Sequence, residues 1–292
     1  MLRRLYDRVV DSIALRVLDQ TSAADRHSPA TKAAVRQLFA TYQAQVRTGC
    51  PPRLADTGLR VFSEYEEDGL ILFLLACCGV GPSTFMDIGA GNCVSGSNVA
   101  NLAVNLGFHG LFIDGEPGRM KQGQAFYLRH PDTKAYPPVF VTEMVRTDNI
   151  NASIERAGFT GEVDVLSIDL DGPDYWIWNA LEVISPRIVV IETHVEFGMH
   201  PVVVPYDPEY VYPGKHPHYH GASVPAMAKL SKKLGYRMVG ANRLGFNTFH
   251  VRADLAPKLL PEVSPADVLA HPRNAERAKL FDPIADYEYV RT

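Results

Sequence analysis

Apolar runs alternate with stretches of helical periodicity between residues 85 and 252. The runs occupy residues 85–88, 111–114, 139–142, 163–169, 187–192, 235–240 and 246–252. Strands that alternate with helices form a parallel sheet covered by helices on both faces. The last two runs are joined by a short turn at residues 242–245, which requires an antiparallel pair because a parallel crossover needs about a dozen residues or more. The pattern predicts a doubly wound α/β sheet of seven strands, mostly parallel, with one antiparallel strand.

Helical segments come before the first strand. Apolar side chains three or four positions apart predict an amphipathic helix over residues 2–19, and Ser28 followed by Pro29 predicts the start of a second helix that runs to about Arg47. We divide the chain into an N-terminal helical extension (1–58), a sheet domain (59–254) and a tail packed on that domain (255–292). The extension is expected to form a lid or a homo-oligomer contact, with ordinary packing against the sheet as the alternative.

The first strand ends in an acid and then a glycine turn. The segment Phe85-Met86-Asp87-Ile88-Gly89-Ala90-Gly91-Asn92 is followed by residues 95–106, which are predicted to form a helix. A strand, glycine turn and helix in this order hold nucleotide-like ligands, because glycine lets the backbone turn tightly and approach the ligand. Asp114 ends the next strand, 23 positions after Gly91, about where such units place the carboxylate that accepts ribose hydroxyls.

The choice of cofactor depends on the glycine spacing. A dinucleotide fingerprint needs a third glycine where Val94 stands, which counts against a nicotinamide cofactor. The segment Asp87-Ile88-Gly89-Ala90-Gly91 resembles motif I of class I S-adenosylmethionine-dependent methyltransferases, although the commonest form has a further glycine where Cys93 stands. The resemblance implies a Rossmann-like methyltransferase sheet and S-adenosylmethionine as cofactor. It implies cofactor contacts at Asp87, Gly89, Gly91 and Asp114. Asn92 is a further candidate contact, with capping of the following helix as its alternative, and Thr142 is expected to border the adenine.

Two further strands end in closely spaced polar side chains. Asp169 and Asp171 close the fourth strand, and Glu192 and His194 close the fifth. Because the carboxyl ends of parallel strands face one crevice, we expect these four side chains to converge there. Carboxylates with one imidazole suit Mg²⁺ or Mn²⁺, so all four are predicted metal ligands. Asp171, Glu192 and His194 are the predicted catalytic residues; the metal-free alternative uses His194 or Asp171 as general base. Asp174 is interpreted as a turn or cap residue.

Other segments make the resemblance more specific. Ser-Ile-Asp-Leu-Asp-Gly-Pro-Asp-Tyr-Trp-Ile-Trp (167–178) and Pro-Arg-Ile-Val-Val-Ile-Glu (186–192) look like the FkbM-like group of class I methyltransferases, and the similarity covers about residues 60–254. Members typically methylate hydroxyls of sugars, polysaccharides and natural products. The group's entry segment, Phe-Ser-x-x-x-Glu-Asp-Gly (62–69), places Ser63 beside the cofactor, as is also implied for Asp169. The pair Asp169 and Asp171 also resembles the metal motif of macrocin-type sugar O-methyltransferases, whose third acid would match Glu192.

Residues 201–220 form a long segment rich in proline and aromatic side chains. Long loops without secondary structure in compact domains are usually functional or disordered. Aromatic faces with scattered hydroxyls and imidazoles suit a polar ring such as a sugar. We therefore predict that this segment binds the acceptor, with candidate contacts at Tyr206, Tyr212, His218, Tyr219 and His220.

Composition narrows the remaining choices. The net charge of −4 argues against a nucleic-acid partner bound through a basic surface. Four cysteines without zinc or disulfide spacing favour a reduced, cytoplasmic location. The N-terminal arginines are not followed by an unbroken apolar stretch, so no export is expected, and the longest apolar run, residues 70–80, is too short to span a membrane. The combined prediction is a cytoplasmic S-adenosylmethionine-dependent O-methyltransferase acting on a sugar or glycoside, with Mg²⁺ or Mn²⁺. The alternatives are a nicotinamide oxidoreductase on the same sheet and a non-catalytic ligand-binding protein.

Overall fold

A computed structural model of the protein describes residues 28–292. The helix predicted over residues 2–19 lies outside the described residues. The strands are β1 (Thr84–Ile88), β2 (His109–Asp114), β3 (Val139–Thr142), β4 (Gly161–Ile168), β5 (Ile184–Glu192), β6 (Val202–Val203), β7 (Tyr236–Ala241), β8 (Asn247–Arg252) and β9 (Val290–Arg291). Seven of them form one sheet in the order β3-β2-β1-β4-β5-β8-β7.

Strand direction within this sheet matches the prediction. β1 through β5 pair in parallel, whereas β8 is antiparallel to both of its neighbours, β5 and β7. The turn between β7 and β8 is closed by the Asn242 side-chain oxygen, which accepts a hydrogen bond from the Phe246 amide. The predicted seven-stranded, mostly parallel sheet with one reversed strand is confirmed.

Helices cover both faces of the sheet because successive strand residues point to opposite sides. Phe85 and Met86 are both fully buried but belong to different apolar clusters. Full burial of such side chains contributes about 1.5–3 kcal/mol each relative to exposure. The helices are α1 (Pro29–Arg47), α2 (Glu67–Cys78), α3 (Pro117–Arg129), α4 (Ile150–Arg156), α5 (Asp174–Ala180), α6 (Val224–Lys233), α7 (Pro265–Val268) and α8 (Pro272–Arg277).

Helix α1 has the boundaries that the sequence predicts. The Ser28 hydroxyl accepts a hydrogen bond from the Thr31 amide and caps the helix, which ends at Arg47. The Tyr42 ring packs edge-on against Phe73 of α2, with ring centroids 5.4 Å apart. The Arg36 side chain donates to the Asn105 carbonyl. These contacts place α1 against the helices of one sheet face.

The helix predicted over residues 95–106 exists, but its predicted N-terminal boundary was wrong. Gly96 has φ +81, a left-handed conformation that α-helices exclude, and the helical segment begins only at Ala100. Its last five residues, Leu102–Leu106, form a π-helical turn. The Ser97 hydroxyl accepts from the Ala100 amide and so caps this shorter helix.

The tail returns to the sheet domain through a small second sheet. β9 pairs antiparallel with β6, which lies at the start of the aromatic segment predicted to bind the acceptor. Tyr219 of that segment is buried together with Phe197 and Ile284 of the tail. The tail therefore packs under the base of the aromatic segment.

Among residues 28–292, no helix is long and apolar enough to cross a membrane.

Candidate functional site

The glycine turn lies against the end of β4. Gly89 has φ +87, and a β-carbon there would come within 1.7 Å of the Asp169 carbonyl oxygen. Only glycine allows this approach, because both the backbone conformation and the space exclude a side chain. The turn after β1 and the predicted metal ligands after β4 are therefore neighbours.

Asp114 is held against the same turn. One of its carboxylate oxygens accepts from the Gly91 amide at 2.8 Å, and the other accepts from the Glu116 amide at 2.7 Å. Thr142 is exposed beside it, in register with Asp114 across β2 and β3. The Asn92 side chain bonds within its own loop, where its oxygen accepts hydrogen bonds from the amides of Val94 and Ser95. Asp114 and Thr142 thus stand at the edge predicted for ribose and adenine.

Two predicted cofactor residues are buried behind the turn. The Asp87 carboxylate accepts from the Ser97 hydroxyl at 2.8 Å, and burial raises its pKa to about 6. The Ser63 hydroxyl donates to Asp68 at 2.9 Å, and its backbone forms an isolated bridge to Gly96. The entry segment around Ser63 therefore borders the loop that follows the glycine turn.

Three of the four predicted metal ligands converge. Asp169, Asp171 and Glu192 each offer an oxygen, and these oxygens all lie within 4.8 Å of one another. No lysine or arginine in residues 28–292 forms an ion pair with any of them. Burial raises the pKa values of Asp169 and Glu192 well above the usual range, and the neighbouring acids raise them further. The arrangement concentrates negative charge with no cation of the described chain to balance it.

His194 lies against one member of this cluster. Its Nε2 atom is 3.6 Å from Oε2 of Glu192, and neither atom has a hydrogen-bond partner within the described part of the chain, although both are buried. Burial lowers the pKa of His194, although nearby acids such as Glu196 oppose that shift. The imidazole is therefore neutral, with an unpartnered nitrogen facing the carboxylates.

The turn after β4 is fixed by Asp174. Its buried carboxylate accepts from the amides of Leu170 and Gly172, at 2.8 and 2.9 Å. Asp174 has the structural turn role expected from the sequence. Between those two amides, Asp171 has φ +53, an uncommon conformation for a residue other than glycine.

The predicted acceptor residues divide into two groups. The Tyr206 hydroxyl accepts from the Thr147 amide, and the buried Tyr219 donates its hydroxyl to the Glu288 carbonyl, so both hydroxyls serve the packing of the segment. By contrast, the His220 ring lies 4.1 Å from the His194 ring, and its Nδ1 atom is buried without a partner in the described residues. Tyr212 is 52% exposed and packs edge-on against His220.

His218 is the remaining predicted acceptor residue. It is partly buried, and its amide donates to the His216 ring nitrogen. The aromatic segment also borders a cavity of about 410 Å³, large enough for a small organic ligand. The lining residues are Val204, Pro205, Tyr206, Asp207, Glu209, Tyr210, Val211, Gly214, Lys215, Tyr219 and Glu288.

Sequence analysis missed two contacts at this site. The Tyr210 hydroxyl donates to the Asp171 carbonyl at 3.0 Å. Arg277 of the tail bonds to the buried Glu196 at 2.6 Å and stacks over the Phe246 ring at 4.7 Å. Both link segments distant in the chain, so spacing along the sequence carries no signal for them. A separate cavity of about 1100 Å³ beside the edge strand β7 is lined by none of the predicted site residues.

Comparisons with known proteins give a limited result. No protein-family model and no curated protein matches the chain. It resembles magnesium protoporphyrin IX methyltransferase from Synechocystis PCC 6803 with bound S-adenosylmethionine: 14% identity, 64% of this chain, 77% of that chain, TM-score 0.40. It also resembles an O-methyltransferase family protein from Burkholderia thailandensis: 14% identity, 64% of this chain, 58% of that chain, TM-score 0.39. Likeness at this level says nothing about the chemistry of this chain.

Proposed function

We propose that the protein is an S-adenosylmethionine-dependent O-methyltransferase that uses a divalent cation and methylates a hydroxyl of a sugar, oligosaccharide or glycosylated natural product. One observation carries the proposal: Asp169, Asp171 and Glu192 converge, with oxygens within 4.8 Å, beside the turn that begins at Gly89. Ligands of open α/β sheets bind in the crevice at the carboxyl ends of the strands. The cluster and the glycine turn share that crevice.

The glycine turn supports a nucleotide-bearing methyl donor. Gly89 and Gly91 both have positive φ, and neither places a side chain between the backbone and a ligand. Asp114 keeps its carboxylate at the end of β2, and each of its oxygens retains a second lone pair for a ribose hydroxyl. We assign the walls of the same pocket to Ser63, Asp87, Asn92, Thr142 and Asp169.

The carboxylate cluster fits a divalent cation. The buried Glu192 Oε2 and His194 Nε2 atoms have no hydrogen-bond partner among residues 28–292, and an unsatisfied buried polar atom is costly unless a ligand completes it. Three carboxylates suit Mg²⁺ or Mn²⁺. Asp169, Asp171 and Glu192 would hold the ion, and His194 would lie beside it. A bound cation of this kind supplies a Lewis acid that lowers the pKa of an acceptor hydroxyl.

The reaction is a single in-line displacement. The acceptor oxygen attacks the methyl carbon of the sulfonium donor, and the carbon–sulfur bond breaks as the oxygen–carbon bond forms. The hydroxyl proton passes to Nε2 of His194, which is neutral because burial lowers the pKa of its ring. The exposed Asp171 carboxylate is the alternative proton acceptor. Positioning of the two bound partners supplies most of the rate enhancement.

The aromatic segment supports a polar ring as acceptor. His220 and the exposed Tyr212 extend from His194 toward solvent. Tyr206, Tyr219 and His218 shape the segment around the cavity of about 410 Å³. The flat faces of these side chains suit the C–H faces of a sugar, and their polar edges suit its hydroxyls.

Calorimetric titration with S-adenosylmethionine, in Mg²⁺ and in EDTA, tests the proposal directly. We expect the methyl donor to bind in both buffers. Among sugars screened for S-adenosylhomocysteine formation, we expect turnover only when Mg²⁺ or Mn²⁺ is present. The matched control is the O-methylated form of any sugar that reacts, which should give no product.

Three results would contradict the proposal. Binding of NAD(H) without binding of S-adenosylmethionine would favour the oxidoreductase. Donor binding without turnover on any hydroxyl acceptor would favour a non-catalytic protein. Turnover that is unchanged in EDTA would contradict the proposed role of the cation. His194 or Asp171 would then be the general base of a metal-free mechanism.

A further inference from the structure

Tyr210 connects the aromatic segment to the turn that carries Asp171. Its hydroxyl donates to the Asp171 carbonyl at 3.0 Å. Its ring fills the space left by two glycines, since a β-carbon at Gly172 would lie 2.6 Å from the ring and one at Gly214 would lie 2.7 Å from it. The ring is therefore seated between the turn after β4 and its own segment.

The backbone of Asp171 is held from both directions. The Asp174 carboxylate accepts hydrogen bonds from the amides of Leu170 and Gly172, on either side of Asp171. The Tyr210 hydroxyl donates a hydrogen bond to the Asp171 carbonyl. Left-handed backbone at a residue other than glycine is strained and persists only where the surroundings over-determine it. Asp174 belongs to the turn itself. Tyr210 is the contact that the aromatic segment supplies.

We propose that Tyr210 is a positioning residue that couples the packing of residues 205–219 to the ion-binding arrangement of Asp171. This inference rests on the proposed cation site. With the segment packed on the turn after β4, the Tyr210 hydroxyl holds the Asp171 backbone so that its carboxylate stands with Asp169 and Glu192. Because coupling between two equilibria is reciprocal, an ion on the carboxylates also stabilises the packed segment.

The same residue reaches the predicted acceptor site. Tyr210 lines the cavity of about 410 Å³ while its hydroxyl donates to the Asp171 carbonyl. An acceptor bound in that cavity would touch the residue that positions Asp171. Acceptor binding and cation binding are therefore linked through one side chain.

Tyr210→Phe removes the hydroxyl and leaves the ring, and Tyr289→Phe is its matched control. The Tyr289 hydroxyl also donates to a backbone carbonyl, that of Ile284, at 3.1 Å, and its ring packs on Tyr219 of the aromatic segment. We expect Tyr210→Phe to weaken Mn²⁺ binding, measured by electron paramagnetic resonance, by about 3- to 10-fold, as for loss of one hydrogen bond. Tyr289→Phe should leave it unchanged.

Hydrogen exchange provides a readout that needs no ion. In Tyr210→Phe, amides of residues 169–174 and 205–219 should exchange faster than in the wild type, whereas in Tyr289→Phe residues 169–174 should not change. Mn²⁺ should slow exchange in residues 205–219 of the wild type and do so less in Tyr210→Phe. Gly172→Ala, whose β-carbon displaces the ring, should reproduce the Tyr210→Phe pattern.

The outcomes separate this inference from the proposed function. If wild-type protein binds no Mn²⁺, the cation site is wrong, and exchange in residues 169–174 then decides alone whether Tyr210 positions Asp171. Unchanged exchange there in Tyr210→Phe overturns the inference whatever the ion does. Equal Mn²⁺ affinity in the wild type and Tyr210→Phe overturns the coupling even if the ion binds tightly.

Discussion

The acidic side chains at the two ends of β4 and β5 differ in whether they have hydrogen-bond or ion-pair partners. At the N-terminal end, the fully buried Asp164 accepts from the amides of Gly81 and Thr84 and lies 3.5 Å from Arg187. Glu162 pairs with both Arg187 and Arg252. Glu162 and Asp164 therefore each have a cation or a backbone donor.

At the C-terminal end the acids have no such partners. Asp169, Asp171 and Glu192 lie together without an arginine or lysine paired to them in residues 28–292, and Glu192 faces a neutral His194. Paired charges contribute to stability, whereas gathered like charges reduce it and are retained where a ligand uses them. The difference supports a structural role for the acids at the N-terminal end and is consistent with the binding role proposed for those at the C-terminal end.

The largest expected change in the free energy of unfolding is at the N-terminal end of β4 and β5, where the acids are paired. Asp164→Ala should lower the free energy of unfolding by about 3–5 kcal/mol, because it leaves the amides of Gly81 and Thr84 without their acceptor and removes the buried carboxylate beside Nε of Arg187. Chemical denaturation measures the loss. Asp148→Asn, which removes one exposed ion pair on the surface, should change stability by less than about 1 kcal/mol. Equal values for the two variants would refute the contrast.

Much of the fold could be predicted because its signals are local. Apolar runs of strand length and a tight turn before β8 are sufficient to give seven strands and their directions. Ser28 and Pro29 likewise determine the start of α1. The helix predicted from residue 95 failed because Gly96 takes φ +81, which periodicity does not reveal.

The site could be predicted only where sheet geometry places it. Asp169 and Glu192 converge because β4 and β5 are parallel neighbours, with Ile168 opposite Ile191. Tyr210 and Arg277 act across 39 and 81 positions of the chain, and no spacing rule connects such segments. Asn92 stays a predicted cofactor contact, and its side-chain oxygen also accepts from the Ser95 amide within its own loop.

A second buried histidine, His250, provides a contrast with His194, because the hydrogen-bond partners of its ring are complete whereas those of His194 are not. Both ring nitrogens of His250 have hydroxyl partners, Ser231 at 2.8 Å and Thr248 at 3.0 Å. Burial lowers its pKa to about 3, below the ordinary value of about 6.5. The unfolded chain therefore gains a proton between these values while the folded chain does not, so stability is present above pH 6.5 and is lost as the pH falls toward 3.

The measurement compares unfolding free energies at pH 7.5 and pH 5.5. Wild-type protein should lose about 1.4 kcal/mol more than His250→Gln over this interval, the contribution of one such group. The comparison of two pH values within each protein cancels any constant cost of the substitution. Equal losses in the two proteins would mean that His250 takes up its proton while folded.

The smallest effect tests the contrast most directly, because one substitution is made at both ends of the same sheet. Glu192→Gln removes a buried acid, whose ionised form burial and the neighbouring acids disfavour, and places an amide beside the unpartnered His194 nitrogen, so stability should rise by about 1 kcal/mol. Glu162→Gln weakens two exposed ion pairs, so stability should fall by about 0.5 kcal/mol. Only Glu192→Gln should weaken Mn²⁺ binding, by about 100-fold or more. Changes of the same sign in unfolding free energy would mean that the two ends do not differ.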